Sequence, residues 1–144
     1  AENGKCAFAL KIADEYYGAM LDKGATTFWE NFDMEWTKNS CRVDRFPNEN
    51  EKDIHGDFGA NCYAGFRHSL CHGWSCGVIA FLAENVLGIK IKKAGFVAIS
   101  VNPFQDNEYS KGAIPTPFGE IIIEKGGKEK PLELTTPKEI NIIS

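Results

Sequence analysis

The chain changes character near residue 92, where a helical hydrophobic pattern gives way to short strand-like segments. The first helix is predicted over Cys6–Lys23, where apolar side chains recur every four residues up to Gly24. A second, strongly apolar helix is predicted over about 70–87, with Ser69 as its N-cap and Gly88 just past its end. Helices followed by strands predict an α+β fold with a division near residue 92.

Four short strands are predicted after residue 93, separated by turns rich in glycine and proline. They cover about 96–101, 119–125, 132–135 and 139–143. Because four short antiparallel strands bury little surface alone, we expect a small β-sandwich packed against the helices. Between the helices, residues 31–67 are polar and form no clear element, and a loop of that length in a compact domain is usually functional or disordered.

Composition excludes several classes of protein. The 144 residues carry a net charge of -4 and a pI of about 5.4, which argues against nucleic-acid binding through phosphate neutralisation. The longest apolar run, Val78–Ala83, is far shorter than the roughly 20 residues of a membrane-spanning helix. No secretory signal opens the chain, and its polar start predicts a processed or trimmed chain whose compartment is unknown.

The five cysteines are odd in number and irregularly spaced, which predicts mostly free thiols. They are Cys6, Cys41, Cys62, Cys71 and Cys76. A zinc site could draw on the segment 68–76 with a further ligand from residue 62. The spacing of these residues does not match the paired spacing of zinc ligands, and Cys71 and Cys76 would point in different directions on a helix. A Cys–His nucleophile pair is disfavoured because Cys71 and His72 are adjacent, so their side chains diverge.

The densest candidate site is the segment 24–33, GATTFWENFD, where an aromatic pair is followed at once by Glu30. Carbohydrate sites favour aromatic faces beside a carboxylate, and glycoside hydrolysis needs two carboxyl groups. Rival carboxylates nearby are Asp33, Glu35 and Asp57. The alternative is that Glu30 is a solvated residue at a helix start and that Trp29 lies in the core.

The second candidate site is the segment 68–76, HSLCHGWSC, which leads into the second helix. His72 and Trp74 near a helix N-terminus suit hydrogen bonding and stacking against a polar ligand, and the alternative is a buried structural histidine. His55 and His68 show no partner pattern and are expected on the surface. No nucleotide-binding, HExxH or GxSxG motif is present, so no cofactor and no serine-hydrolase chemistry is implied.

These segments together resemble a known family. GATTFWE, followed by SLCHGWS, VLGI and IPTPFG in that order, resembles the C-terminal part of bacterial α-L-rhamnosidases of the six-hairpin glycosidase superfamily. The order and rough spacing agree over nearly the whole chain. The resemblance implies that residues 1–92 are the last hairpins of an (α/α)6 catalytic barrel and that residues 93–144 are the closing β-sandwich.

The resemblance also implies a chemistry, the inverting hydrolysis of terminal α-L-rhamnosyl residues in a glycoside or polysaccharide. Glu30 matches the general base of the family motif, and His72 matches a residue that lines the rhamnose subsite. Trp29 and Trp74 match motif tryptophans at the substrate site. No metal, nucleic acid or membrane is implied.

Two departures from the family pattern qualify this hypothesis. The general acid of the family lies upstream of the GATT motif and has no equivalent here, so we expect a C-terminal fragment that is inactive alone. The polar segment 31–67, which lies between the two motifs, is longer than the family pattern implies. The implied partners are the rest of the barrel, or a second copy bound through exposed apolar surface. The alternative function is a non-catalytic carbohydrate-binding or structural module.

Overall fold

The computed structural model describes residues 4–54, 68–127 and 130–143. It confirms an α+β fold with two helical regions and two small sheets. The helices are α1 (Cys6–Asp22) and α2 (Gly77–Phe81), and the strands are β1 (Ile89–Lys93), β2 (Ala98–Val101), β3 (Ser110–Thr116), β4 (Gly119–Lys125), β5 (Glu133–Thr135) and β6 (Asn141–Ile142). Within the described residues, none of the helices has the length and apolar character that crossing a membrane requires.

The chain divides into two compact units. The helical unit comprises Phe8–Val78, and the sheet unit comprises Ala1–Ala7 and Ile79–Ser144. The division expected near residue 92 falls within β1, inside the sheet unit.

Helix α1 ends where the sequence predicts. The amide of Gly24 donates to the carbonyl of Leu21 at 2.8 Å, and the amide of Ala25 donates to the carbonyl of Met20 at 2.9 Å. These two bonds form a Schellman motif, which needs a residue of positive φ after the helix. Gly24 supplies it with a φ of 93°.

The apolar face of α1 is only partly covered. Met20 is buried with the core of the helical unit, whereas Phe8, Ile12 and Tyr16, which lie on the same face one turn apart, are exposed. Tyr16 still packs edge to face on Phe32 at 5.3 Å, so among the described residues it is Phe8 and Ile12, at the N-terminal end of the face, that are left uncovered.

The second helical region starts later than predicted and is less regular. Residues 70–72 are not helical, and Gly73–Cys76 forms a 3₁₀ turn before α2. Leu82–Val86 then forms a π-helical turn, which ends with the Leu87 amide donating to the Leu82 carbonyl at 2.9 Å. The apolar content of this region predicts burial over much of its circumference, which is wrong, because only Val86 is buried among its residues.

The polar segment after residue 31 is organised as far as residue 54. A 3₁₀ turn covers Met34–Thr37, and a parallel bridge joins Ser40 to Lys52. Cys41 and Ile54 are buried, so the beginning and end of this part return to the core. Residues 55–67 lie outside the described residues, and with them the sequence candidates His55, Asp57 and Cys62.

The six strands form two three-stranded sheets. In the first, β1 pairs with β2 in antiparallel fashion and β2 pairs with β6 in parallel. In the second, β3 and β4 form an antiparallel hairpin from Ser110 opposite Lys125 to Thr116 opposite Gly119, and β5 pairs with the other edge of β4.

The sequence missed two of these strands. β1 reads IKIKK, and of its residues only Ile89 is buried, so the strand offers little hydrophobic signal. β3 contains Pro115, and the sequence around it, IPTP, is typical of a turn. Proline is tolerated because β3 is an edge strand, where a missing amide costs no pairing with a further strand.

The core of the sheet unit is made of isoleucines from both sheets. Ile89 and Ile99 come from the first sheet, Ile121 and Ile123 from the second, and Ile140 precedes β6. The two sheets therefore share one hydrophobic cluster.

Candidate functional site

The two candidate segments of the sequence lie against each other in the helical unit. The amide of Glu30 donates to the carbonyl of Ser69 at 2.8 Å, and the amide of His72 donates to the carbonyl of Phe28 at 2.7 Å. Residues 27–30 and 69–75 are thus paired through their backbones, although about forty residues separate them in the chain. Each segment fixes the position of the other.

Side chains reinforce this pairing at four points. The indole Nε1 of Trp74 donates to the Glu30 carbonyl at 2.6 Å, and the Tyr17 hydroxyl of α1 donates to the Ser75 carbonyl at 2.9 Å. The hydroxyl of Thr27 donates to the carbonyl of Leu70, and the hydroxyl of Ser75 donates to the carbonyl of Trp29. The side chains of Thr27, Trp74 and Ser75 thus join the two segments to each other, while Tyr17 joins the second segment to α1.

Glu30 is half-buried at this junction. Its Oε2 accepts the amide of Ser69 at 2.9 Å, which orients the carboxylate. Within the described ranges, Oε1 accepts no hydrogen bond, and no lysine or arginine forms an ion pair with Glu30. A carboxylate with one anchored oxygen and one available oxygen can accept a proton from water.

His72 and Trp74 form an aromatic pair beside Glu30. Their ring centroids are 4.2 Å apart, and the Trp74 amide donates to Nδ1 of His72 at 3.4 Å. Since Nδ1 accepts, a neutral ring carries its proton on Nε2, which can donate to a ligand. His72 is thereby the N-cap of the 3₁₀ turn, the role expected of Ser69.

The two motif tryptophans occupy opposite environments. Trp74 is 71% exposed, whereas Trp29 is 1% exposed in the cluster that also contains Met20, Phe32 and Ile54. Trp29 thus matches the alternative of a core tryptophan that the sequence left open. Its ring packs edge to face against that of Phe32, with the ring centroids 5.6 Å apart. Trp29 therefore supports the backbone next to Glu30 from the core.

The nearby rival carboxylates are engaged elsewhere. Asp33 caps the 3₁₀ turn by accepting the amide of Glu35 at 2.8 Å, and Glu35 forms an ion pair with Lys38 at 2.6 Å. Within the described residues, neither carboxylate forms a hydrogen bond with residues 69–75. Glu30 is the acidic side chain joined to both candidate segments.

Sequence reasoning placed one residue near the site wrongly and missed the role of a second. His68 was expected on the surface but is buried, with its ring stacked on Trp36 at 5.3 Å. Ser69 was expected as a helix cap. Its amide instead donates to the carboxylate of Glu30, and its hydroxyl donates to the backbone carbonyl of Cys71. A backbone donor has no sequence signature, so this role could not be predicted.

The thiols form no cluster with metal-binding geometry in the part of the chain that the structure describes. Cys6, Cys41, Cys71 and Cys76 are free, and no group of three His, Cys, Asp or Glu side chains is placed to hold a metal there.

Comparison with known proteins adds no assignment. No protein-family model matches the chain. No curated protein matches it either. The resemblance to α-L-rhamnosidases therefore stays a prediction from the sequence motifs.

Proposed function

We propose that this chain is the C-terminal part of an inverting glycoside hydrolase that cleaves terminal α-L-rhamnosyl residues, with Glu30 as its general base. The observation that carries the proposal is the backbone pairing of residues 27–30 with residues 69–75. This pairing brings Glu30, His72 and Trp74, which the resemblance assigns to one substrate site, into one small region.

In this mechanism Glu30 accepts a proton from a water molecule through Oε1, while the Ser69 amide holds Oε2. The water oxygen forms a bond to the anomeric carbon as the bond to the leaving oxygen breaks, and the configuration inverts. His72 donates from Nε2 to a sugar hydroxyl, and the exposed ring of Trp74 offers an apolar face beside it.

An inverting enzyme also needs a general acid about 6.5–9.5 Å from the base, because the water must fit between the two carboxyl groups. Asp33 and Glu35 are committed to a helix cap and an ion pair, which makes them poor candidates. We therefore place the acid on a part of the catalytic barrel supplied by upstream chain. The exposed stripe of Phe8, Ile12 and Tyr16 on α1 supports a packing partner of that kind.

The alternative function is a non-catalytic carbohydrate-binding module. The exposed Trp74 ring beside His72 favours it, since an aromatic platform with a hydrogen-bond donor binds a sugar without any acid. The two functions differ in what they require of Glu30.

The experiment is hydrolysis of an aryl α-L-rhamnoside by the full-length polypeptide, as wild type and as Glu30→Gln. We expect kcat to fall by about 10²–10⁴-fold, because Gln keeps the shape of the side chain and cannot accept the proton. The first product observed by NMR should be the inverted anomer. The matched control is Glu35→Gln in the same segment, which should retain activity.

Full activity in Glu30→Gln contradicts the catalytic role, and loss of activity in Asp33→Asn alone assigns the base to that residue. If the full-length polypeptide binds L-rhamnose but hydrolyses no rhamnoside, the carbohydrate-binding function is the correct one. Retention of configuration in the product contradicts the inverting mechanism.

A further inference from the structure

Two cavities of different chemical character meet in the sheet unit. The first, called here the polar cavity, has a volume of about 910 Å³ and is lined by residues 105–109 together with Lys125, Lys130 and neighbours. The second, called here the apolar cavity, has a volume of about 310 Å³ and lies between residues 79–87 and β3. Asn107 and Tyr109 line both cavities.

The loop that lines the polar cavity is held in place by a lysine. Nζ of Lys125 on β4 donates to the carbonyls of Phe104, Gln105 and Asn107 at 2.8, 3.0 and 2.9 Å. An ammonium group has three protons, so this contact uses all of them. The loop is therefore preorganised, and Lys125 has no proton left to bind an anion.

The side chains of this loop are available to a ligand. In the described part of the chain, Asp106, Glu108 and Tyr109 form no side-chain hydrogen bond or ion pair, and the other cation of the cavity, Lys130, is paired with Glu124 at 2.6 Å. Apart from Lys125, whose three protons are already bound to carbonyls, the described charges of this cavity without an ion pair are those of Asp106 and Glu108, and their sign disfavours an anionic ligand. Carboxylates and an aromatic ring that is 57% exposed suit the hydroxyls and C–H face of a neutral sugar.

The apolar cavity offers the complementary surface. Its walls include Ile79, Leu82 and Val86, which belong to residues 79–87, and Ile114 from β3. Ser110 also lines it, and the Oγ of this buried residue has no hydrogen-bond partner. An unpaired buried hydroxyl is costly unless a ligand or a water satisfies it.

We propose that the sheet unit binds a neutral glycoside with an apolar aglycone, the sugar in the polar cavity and the aglycone in the apolar cavity, on either side of Tyr109. A polar atom at the glycosidic end of the aglycone satisfies Ser110. Glu30, His72 and Trp74 do not line this site, so the proposal does not depend on the proposed hydrolase function.

The test is an NMR titration of the full chain with two probes, methyl β-D-glucopyranoside and octyl β-D-glucopyranoside, the latter below its critical micelle concentration. Both probes should shift the Asn107 amide, and only the octyl probe should also shift Ala83 in the apolar cavity. We expect the octyl probe to bind at least about 10-fold more tightly, since burying two CH₂ groups already supplies that factor.

Variants separate the two halves of the site. Tyr109→Ala should weaken both probes by about 10-fold or more, whereas Ile79→Asp should abolish the octyl advantage and leave the methyl probe unchanged. The matched control is Phe118→Ala, an aromatic residue of the same unit that is 42% exposed and lines neither cavity. Glu30→Gln should leave both affinities unchanged.

The proposal is overturned if the two probes bind equally, or if Tyr109→Ala leaves both affinities unchanged. It is also overturned if D-glucosamine shifts Asn107 at lower concentration than the methyl probe, which indicates a cation site. Octyl-induced shifts spread over the exposed face of α1, with none at Ala83, show non-specific detergent binding and contradict it as well.

Discussion

At the scale of single residues, the two motif tryptophans should differ sharply in what they contribute to stability. Trp29→Ala removes a side chain that is 1% exposed and leaves a large cavity beside Met20 and Phe32. The free energy of unfolding should therefore fall by about 3–5 kcal/mol. Trp74→Ala removes an exposed ring and one hydrogen bond, which costs about 1 kcal/mol. Urea denaturation followed by far-UV circular dichroism measures both values.

Equal losses of stability in the two variants contradict this assignment of core and surface. The sequence could name both tryptophans as motif residues but could not tell which one is buried. Trp29 and Trp74 each stand next to polar residues, and burial is decided by the pairing of residues 27–30 with 69–75, which are far apart in the chain. The anchoring of Glu30 by the Ser69 amide was unpredictable for the same reason.

At the scale of secondary-structure elements, two glycines at the second helix should respond to alanine with opposite signs. Gly88 has a φ of 73°, and a Cβ there would lie 2.0 Å from the carbonyl oxygen of Asn102. Gly88→Ala should therefore destabilise the fold by more than the roughly 1–2 kcal/mol that positive φ alone costs. Gly77 begins α2 with a φ of -56° and open space around its Cβ position, so Gly77→Ala should stabilise by about 0.4–1 kcal/mol.

Thermal unfolding of the two variants beside wild type checks the prediction, and a stable Gly88→Ala contradicts the close approach of β2 to this turn. The ends of the helices were predictable because glycine at positive φ is a local requirement, as at Gly24 and Gly88. The start of the second helix was not, because His72 displaces Ser69 as cap only when residue 69 binds Glu30.

The predicted strands are those whose apolar or β-branched residues are bounded by turn residues, and they include β5 and β6, most of whose residues are exposed. β4 places Ile121 and Ile123 in the core and carries three consecutive isoleucines, a strong β-branched signal. β1 exposes all but its first residue, and β3 includes a proline, so neither has the pattern that marks a half-buried strand. Pairing with β2 and β4 decides that these segments are strands, and pairing is a property of the folded chain.

At the scale of the whole molecule, each unit carries a cluster of ion pairs on its surface. In the helical unit, hydrogen bonds from Arg45 and from the Asn48 amide lower the pKa of Glu51 to about 2. In the sheet unit, hydrogen bonds from Lys130 and Lys111 lower the pKa of Glu124 to about 2. Both carboxylates are therefore charged in the folded chain at pH values where an ordinary glutamate has begun to take up a proton.

These lowered pKa values make the stability of the fold depend on pH in the acid range. A carboxyl group with a lowered folded-state pKa stabilises the fold above its unfolded value, near 4.5, and the contribution is lost as the pH falls towards 2. We expect the Tm of the chain to fall over this window because of these groups. Glu124→Gln should lower Tm slightly at pH 7, and its curve should approach that of wild type as the pH falls to 2, where about half of the wild-type Glu124 side chains are protonated.

Circular dichroism melts at pH 7, 4.5, 3 and 2 measure this convergence, and 1 M salt should shrink the difference at pH 7 because exposed ion pairs are screened. The matched control is Glu120→Gln on the same strand, whose carboxylate forms no ion pair within the described residues. Its melting curve should run parallel to wild type at every pH. Parallel curves for Glu124→Gln as well would show that Lys111 and Lys130 do not hold Glu124 in its charged form, and the pH dependence in the acid range would then belong to Glu51 and the helical unit.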